Sequence, residues 1–191
     1  MEFRNAVKRT AVIIIIIALS LLAGYVFQVV GHRSDLKKHP MEYEEYVGKY
    51  SAEYGVPEYI IYAYMLNTSN FKSNYVSDEG RVGLMQLSEN AFMQASYTVT
   101  GEYADTGLMY DPDSNVRYGT YMMSFMYTEY NRWKTVIAAM LTDKATVEGW
   151  MENPKYTDSN GNLVTIPDSA VAEKVQRIEK DIELYQSLYY N

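Results

Sequence analysis

Residues 11–30 form an almost unbroken apolar run of 20, with five consecutive isoleucines from Ile13 to Ile17, and this run partitions the chain. A helix of that length spans the hydrocarbon core of a bilayer. Arg4, Lys8 and Arg9 precede it in a short tail, and such a basic flank is held on the cytoplasmic side, which puts the remainder of the chain outside. A cleaved signal peptide is the alternative. Its apolar core is shorter and closes on a small-x-small site, whereas Gly24, Tyr25, Val26 and Phe27 continue apolar and bulky. The expected organisation is a cytoplasmic tail over residues 1–10, a transmembrane anchor over 11–30, a polar linker over 31–40 and one external domain over 41–191.

Charge narrows the partners of that domain. Residues 1–40 hold six Lys or Arg and two Asp or Glu of the chain's 17 and 24, leaving 11 against 22 in residues 41–191, a net of about −11. A surface of that sign repels polyanions. Teichoic acid is therefore a poor partner, and with no basic stripe carrying interleaved aromatics nucleic acid is excluded as well. The chain has no cysteine, hence no lipid attachment through one and no disulfide, so the domain depends on its core. The two histidines, His32 and His39, both fall in the linker, which leaves the domain without a histidine metal site or a Ser-His-Asp triad. Neither a metal nor a cofactor is expected.

The domain reads as all-α, with no segment showing the period-two alternation of a half-buried strand. A first helix over 41–54 carries Tyr43, Val47, Tyr50 and Tyr54 at helical spacing and stops at Gly55, suited to a left-handed cap. Pro57 then opens a second, over 58–69, at a position where a missing backbone donor costs nothing. That helix is apolar on nearly every face, so it is expected to be the buried central one and to end at Thr68. Further helices are expected over 84–96, from Asp111-Pro112 to Asn131, over 133–151 and over 169–189, with a long loop rich in Asn, Asp, Gly and Pro over 152–168.

Thr68-Ser69-Asn70-Phe71, followed by Val76, Ser77, Gly80, Gly83, Leu84, Met85, Gln86 and Leu87, resembles the signature of lytic transglycosylases of the soluble-lytic, goose-lysozyme-like family. In that family a helix ends in Glu-Ser-x-Phe, and the loop after it closes with Gly-Leu-Met-Gln. Asp111-Pro112, Asn115, Val116 and Gly119 match the next motif in order, with Tyr121 one residue early for its tyrosine. The resemblance covers about residues 43–189 and implies a lysozyme-like helical domain. Through the loop ending at Ile166-Pro167 and the charged, tyrosine-rich last helix, it points to Gram-positive members. It also implies glycan contacts at Ser69, Ser77, Met85 and Gln86, although Gly-Leu-Met-Gln is equally a packing element.

The family's chemistry needs a carboxylic acid that protonates the bridging oxygen between two amino sugars and then, as carboxylate, takes the proton of the sugar's own 6-hydroxyl. Thr68 stands at that acid's position. A hydroxyl titrates far outside the range in which it could serve, and general acid–base catalysis alone is worth about 10²- to 10⁴-fold in rate. Two further departures accompany it: Ala139-Met140-Leu141-Thr142-Asp143 replaces Ala-Tyr-Asn-Ala-Gly, and Lys174 falls where relatives carry a cleft tyrosine. Asp78 and Glu79 in the loop and Asp143 in the altered motif are the carboxylates that could act as a displaced acid, and all three also read as solvated or capping groups, Asp143 as the N-cap before Lys144-Ala145-Thr146. The resulting expectation is a membrane-anchored protein with no catalytic residue, contacting peptidoglycan or an envelope partner from the outer face of a Gram-positive-type membrane. An active lyase and a pure assembly subunit are the alternatives.

Overall fold

The computed structural model describes the backbone of residues 2–190 and the side chains of residues 19–190. It divides into two units, residues 1–40 and 41–191.

The first unit is one helix, α1 (Glu2–Lys38), so the stretch expected as a polar linker is helical as far as Lys38. On its described part Leu19, Leu21, Leu22, Phe27 and Val30 are all exposed. Among the described residues no helix is long and apolar enough to cross a membrane. Residues 11–18 of the expected anchor lie outside the described side chains.

In the second unit α2 (Glu44–Tyr54) closes on Gly55 at φ 70°, and Pro57, at φ −57°, leads into α3 (Glu58–Thr68). α3 is buried on most of its circumference, through Ile60, Ile61, Tyr62, Ala63, Tyr64, Met65 and Thr68. Removing each large apolar side chain from water contributes roughly 1.5–3 kcal/mol, so this helix organises the core. It packs against α2 and against the last helix, α8 (Ser169–Tyr189), where Tyr62 and Tyr185 stack with ring centroids 5.6 Å apart. α5 (Pro112–Tyr130) is the second axis, packed against α2, α4 (Glu89–Thr100) and α6 (Trp133–Leu141). Asp111 caps α5 by accepting from the Ser114 amide, with Pro112 behind it.

Two helices differ from the sequence expectation. The third begins at Glu89 rather than 84, because Ser88 caps it through the Ala91 amide while Val82 and Leu87 pair across the loop in front. The helix expected over 133–151 breaks into α6 and α7 (Lys144–Met151). At the break the Thr142 hydroxyl turns back to the Ala138 carbonyl at 2.8 Å, and Asp143 starts a new helix by accepting from the Thr146 amide at 2.9 Å. A short 3₁₀ helix, Thr106–Tyr110, precedes α5. The 152–168 loop is drawn in by buried Leu163 and Ile166 and by Asp158, which accepts from the Asn160 and Asn162 amides.

Candidate functional site

α3 delivers Thr68 to its own C-terminus, but the hydroxyl is not offered to a cleft. It donates to the Tyr64 carbonyl at 2.8 Å, the back-bond by which a helical threonine satisfies itself on its own helix. Thr68 is only 8% exposed. Ser69 is also buried, its hydroxyl within 2.9 Å of the Leu84 carbonyl and 3.1 Å of the Met65 carbonyl. Asn70 and Phe71 follow at φ 49° and 58°, and a left-handed phenylalanine is uncommon enough to need holding. Phe71 is buried, and its carbonyl accepts from the Tyr43 hydroxyl at 3.3 Å.

The loop that follows is closed around one amide. Asn115, buried on α5, accepts from the Met85 amide at 2.7 Å and donates to the carbonyls of Val82 and Met109 at 3.1 and 2.8 Å. Gly83 lies against that amide at φ 82°, where a Cβ would collide with the Asn115 side chain and the Met109 carbonyl. Gly119 is packed against Met85, whose Cβ and Cγ occupy the space a side chain there would need. Gln86, at φ 49°, donates to the carbonyls of Gly83 and Tyr75 at 2.8 and 3.1 Å.

The four sequence-derived glycan contacts are therefore not alike. Ser69, Met85 and Gln86 are buried and engaged within the loop and its seat. Ser77 is half-buried; its hydroxyl accepts from the Arg81 amide at 3.2 Å and meets the Glu79 carboxylate.

Arg81 is the residue that the motif reading missed. Its guanidinium reaches from the loop to the end of α6, donating to the carbonyls of Met140 at 2.9 Å, Gln86 at 3.4 Å and Thr142. The Met140 carbonyl also accepts from the Tyr64 hydroxyl at 3.2 Å, so α3, the loop and α6 meet at one oxygen. Tyr64 is fully buried, and burial pushes its hydroxyl above the usual phenol range. A lone cation one residue past Gly80 was the available signal, but its acceptors are backbone oxygens 59 and 61 residues away.

Glu79 and Asp143 have the wrong electrostatics for an acid. The Ser77 hydroxyl holds Glu79 below the usual carboxylate range, with Lys174 and Arg81 adding to the effect. Asp143 is likewise lowered, chiefly by the Thr146 amide and hydroxyl that it caps. A general acid needs the opposite shift, since it must keep its proton near neutral pH. Lys174, half-buried on α8, has its ammonium pKa lowered by burial first, while Glu79 opposes that and Arg177 and Arg81 reinforce it. On the other side of Arg81 a groove of about 530 Å³ opens between α4 and the α6–α7 junction, lined by residues that include Asn90, Gln94, Met122, Met140 and Asp143. Among the described residues no group of His, Cys, Asp and Glu side chains could hold a metal ion.

A helical domain whose central helix ends beside a Gly-Leu-Met-Gln loop seated on an asparagine and a glycine defines a lysozyme-like transglycosylase fold. Residues 45–161 match the transglycosylase SLT domain, and the chain belongs to that family. It is 29% identical over 105 residues to the membrane-bound lytic murein transglycosylase C of Sodalis glossinidius, covering 54% of this chain and 29% of that protein. The lytic transglycosylase Slt of Pseudomonas aeruginosa, solved as an inactive mutant, superposes with a TM-score of 0.68 at 23% identity, over 78% of this chain and 24% of that one. The 70-kDa soluble lytic transglycosylase of Escherichia coli superposes with a TM-score of 0.73 at 19% identity, over 82% and 26%. The same enzyme type has been solved in complex with bulgecin A. The chain thus spans under a third of the length of the relatives it matches.

Proposed function

We propose that this chain is a membrane-anchored, catalytically silent member of the family that contacts peptidoglycan through the inherited domain. The observation that carries the reading is the state of Thr68: the side chain at the acid's position has no titratable group and is bonded back to Tyr64. Arg81 supports it, because its guanidinium ties the loop to the carbonyls of Met140 and Thr142, on the segment that replaces the family's Ala-Tyr-Asn-Ala-Gly wall. The rival reading, a lyase using Glu79 or Asp143, is opposed by the downward shifts of both carboxyls. Anchoring is supported by the apolar run over residues 11–30, by exposed Leu19, Leu22 and Phe27, and by a relative whose own name is membrane-bound. Glycan contact is the inherited expectation, and an envelope protein is its competitor as partner.

The test is to mix the full-length protein, in detergent, with insoluble peptidoglycan. We expect it to sediment with the polymer while releasing no anhydro-muropeptides above a no-protein control. Release above that control would overturn the silent reading; failure to sediment would favour a pure assembly role.

A further inference from the structure

The groove beside the α6–α7 junction does not end at Gln94 and Met122. Those two residues also line a second depression of about 260 Å³ on the outer face of α4 and α5. Its walls are aromatic. Tyr97 and Tyr103 stack with centroids 4.7 Å apart and planes 22° from parallel, and Tyr121 and Phe125 stack at 6.4 Å and 24°. Tyr97 and Tyr103 are 51% and 64% exposed, so their free faces meet solvent; Phe125 is 41% exposed, with the Lys144 ammonium over its ring at 5.6 Å from the centroid.

The platform is built rather than draped. Gly101, at φ 80°, turns the chain at the end of α4. The Ala104 amide then donates to the Ser96 hydroxyl at 3.0 Å, and the Thr100 hydroxyl to the Glu102 carbonyl at 3.1 Å, which pins the segment bearing Tyr103 back against the helix bearing Tyr97. Rings fixed in this way lose little freedom when a ligand lies on them.

The lining selects the ligand. Besides the four rings it is lined by Gln94, Ala95, Thr98 and Met122, all uncharged, while Lys144 lies over Phe125 and Glu53 and Arg117 line the neighbouring depression that shares Tyr121 and Phe125. In a domain of net charge about −11, an acidic partner is repelled, and a basic one finds no carboxylate in this depression to pair with. A neutral ligand with flat apolar faces and hydrogen-bonding edges is what remains. A pyranose has that form: its C–H face lies on an aromatic ring, while hydroxyl and acetamido groups reach phenols and amides. We infer that the Tyr97–Tyr103–Phe125 platform binds a neutral amino-sugar oligosaccharide, continuing a glycan strand from the groove beside Arg81 onto the outer face of α4 and α5. The inference rests on the glycan-contact reading above and adds a site outside the cleft at Thr68.

Isothermal titration of the full-length protein in detergent with N-acetylglucosamine tetramer, and with cellotetraose, a neutral sugar of the same length without acetamido groups, tests it. Wild type binds the N-acetylglucosamine tetramer, and equal or tighter binding of cellotetraose overturns the amino-sugar assignment. Tyr97→Ala with Tyr103→Ala weakens tetramer binding about tenfold or more, whereas the paired phenylalanine substitutions, which keep the ring faces, stay within about threefold. Phe125→Ala gives a second, independent loss should the paired alanine variant fold poorly. Tyr110→Ala, exposed but outside the depression, leaves binding unchanged. If wild type does not sediment with peptidoglycan, the underlying reading fails and this one with it. If wild type sediments but ignores the tetramer, as a platform for a polypeptide would, or if the folded alanine variants bind like wild type, the platform alone is overturned.

Discussion

At the scale of single residues, the family signature separates into two functions that sequence alone presents as one. Gly83, Met85, Asn115 and Gly119 fit each other like parts of a hinge block: an amide, two positions with no room for a Cβ and a methionine that fills the gap. Thr68 belongs to none of that block, so a different side chain there would leave the block undisturbed. On the function proposed above, placing an acid at this position is not expected to be enough. Thr68→Glu alone is expected to release no anhydro-muropeptides, because the opposite wall is still Met140, Leu141 and Thr142, with Arg81 bound to its carbonyls. A positioned acid is useful only when the substrate lies within hydrogen-bond reach of it. Activity is expected when Thr68→Glu is combined with residues 140–143 rebuilt as Tyr-Asn-Ala-Gly. Robust lysis by the single variant would show that the wall is already competent and that our account of it is wrong.

Elements show where sequence reasoning held and where it ran out. Caps are local and therefore legible: Gly55 after α2, Pro57 before α3, Asp111 before α5 and Asp143 before α7 all carry their signal within a few residues. At the break between α6 and α7 the Asp143 cap signal was overridden, because apolar periodicity runs through it and the helix was expected to continue over 133–151, while the Thr142 back-bond that ends α6 has no pattern of its own. The orientation of Ser69 and Gln86 was hidden for a similar reason, since a motif names the residue but not whether it faces the cleft or the loop's own carbonyls. Arg81 depends on acceptors that no side-chain pattern can reveal. The loop's dependence on α5 can be measured. Asn115→Ala leaves the Met85 amide and the Val82 and Met109 carbonyls without their partner, which is expected to cost about 2–4 kcal/mol in denaturant unfolding of the domain. A cost under about 0.5 kcal/mol, within the scatter of ordinary surface changes, would mean that the loop holds itself.

At the scale of the whole molecule, topology is the expectation most exposed to failure. The basic tail of Arg4, Lys8 and Arg9 ahead of residues 11–30 is the basis for expecting the family domain outside the cell. Protease added to intact cells stripped of their wall is expected to digest residues 41–191, and full protection would reverse the orientation. The seat made by Asn115, Gly83 and Gly119 has a consequence for inheritance as well. The seat's demands on these residues do not involve the side chain at position 68, so they mark membership of the family whether or not an acid is present. On the function proposed above, Gly-Leu-Met-Gln is a mark of the fold, and the residue just ahead of Ser69 is the one to inspect before crediting a chain with lysis.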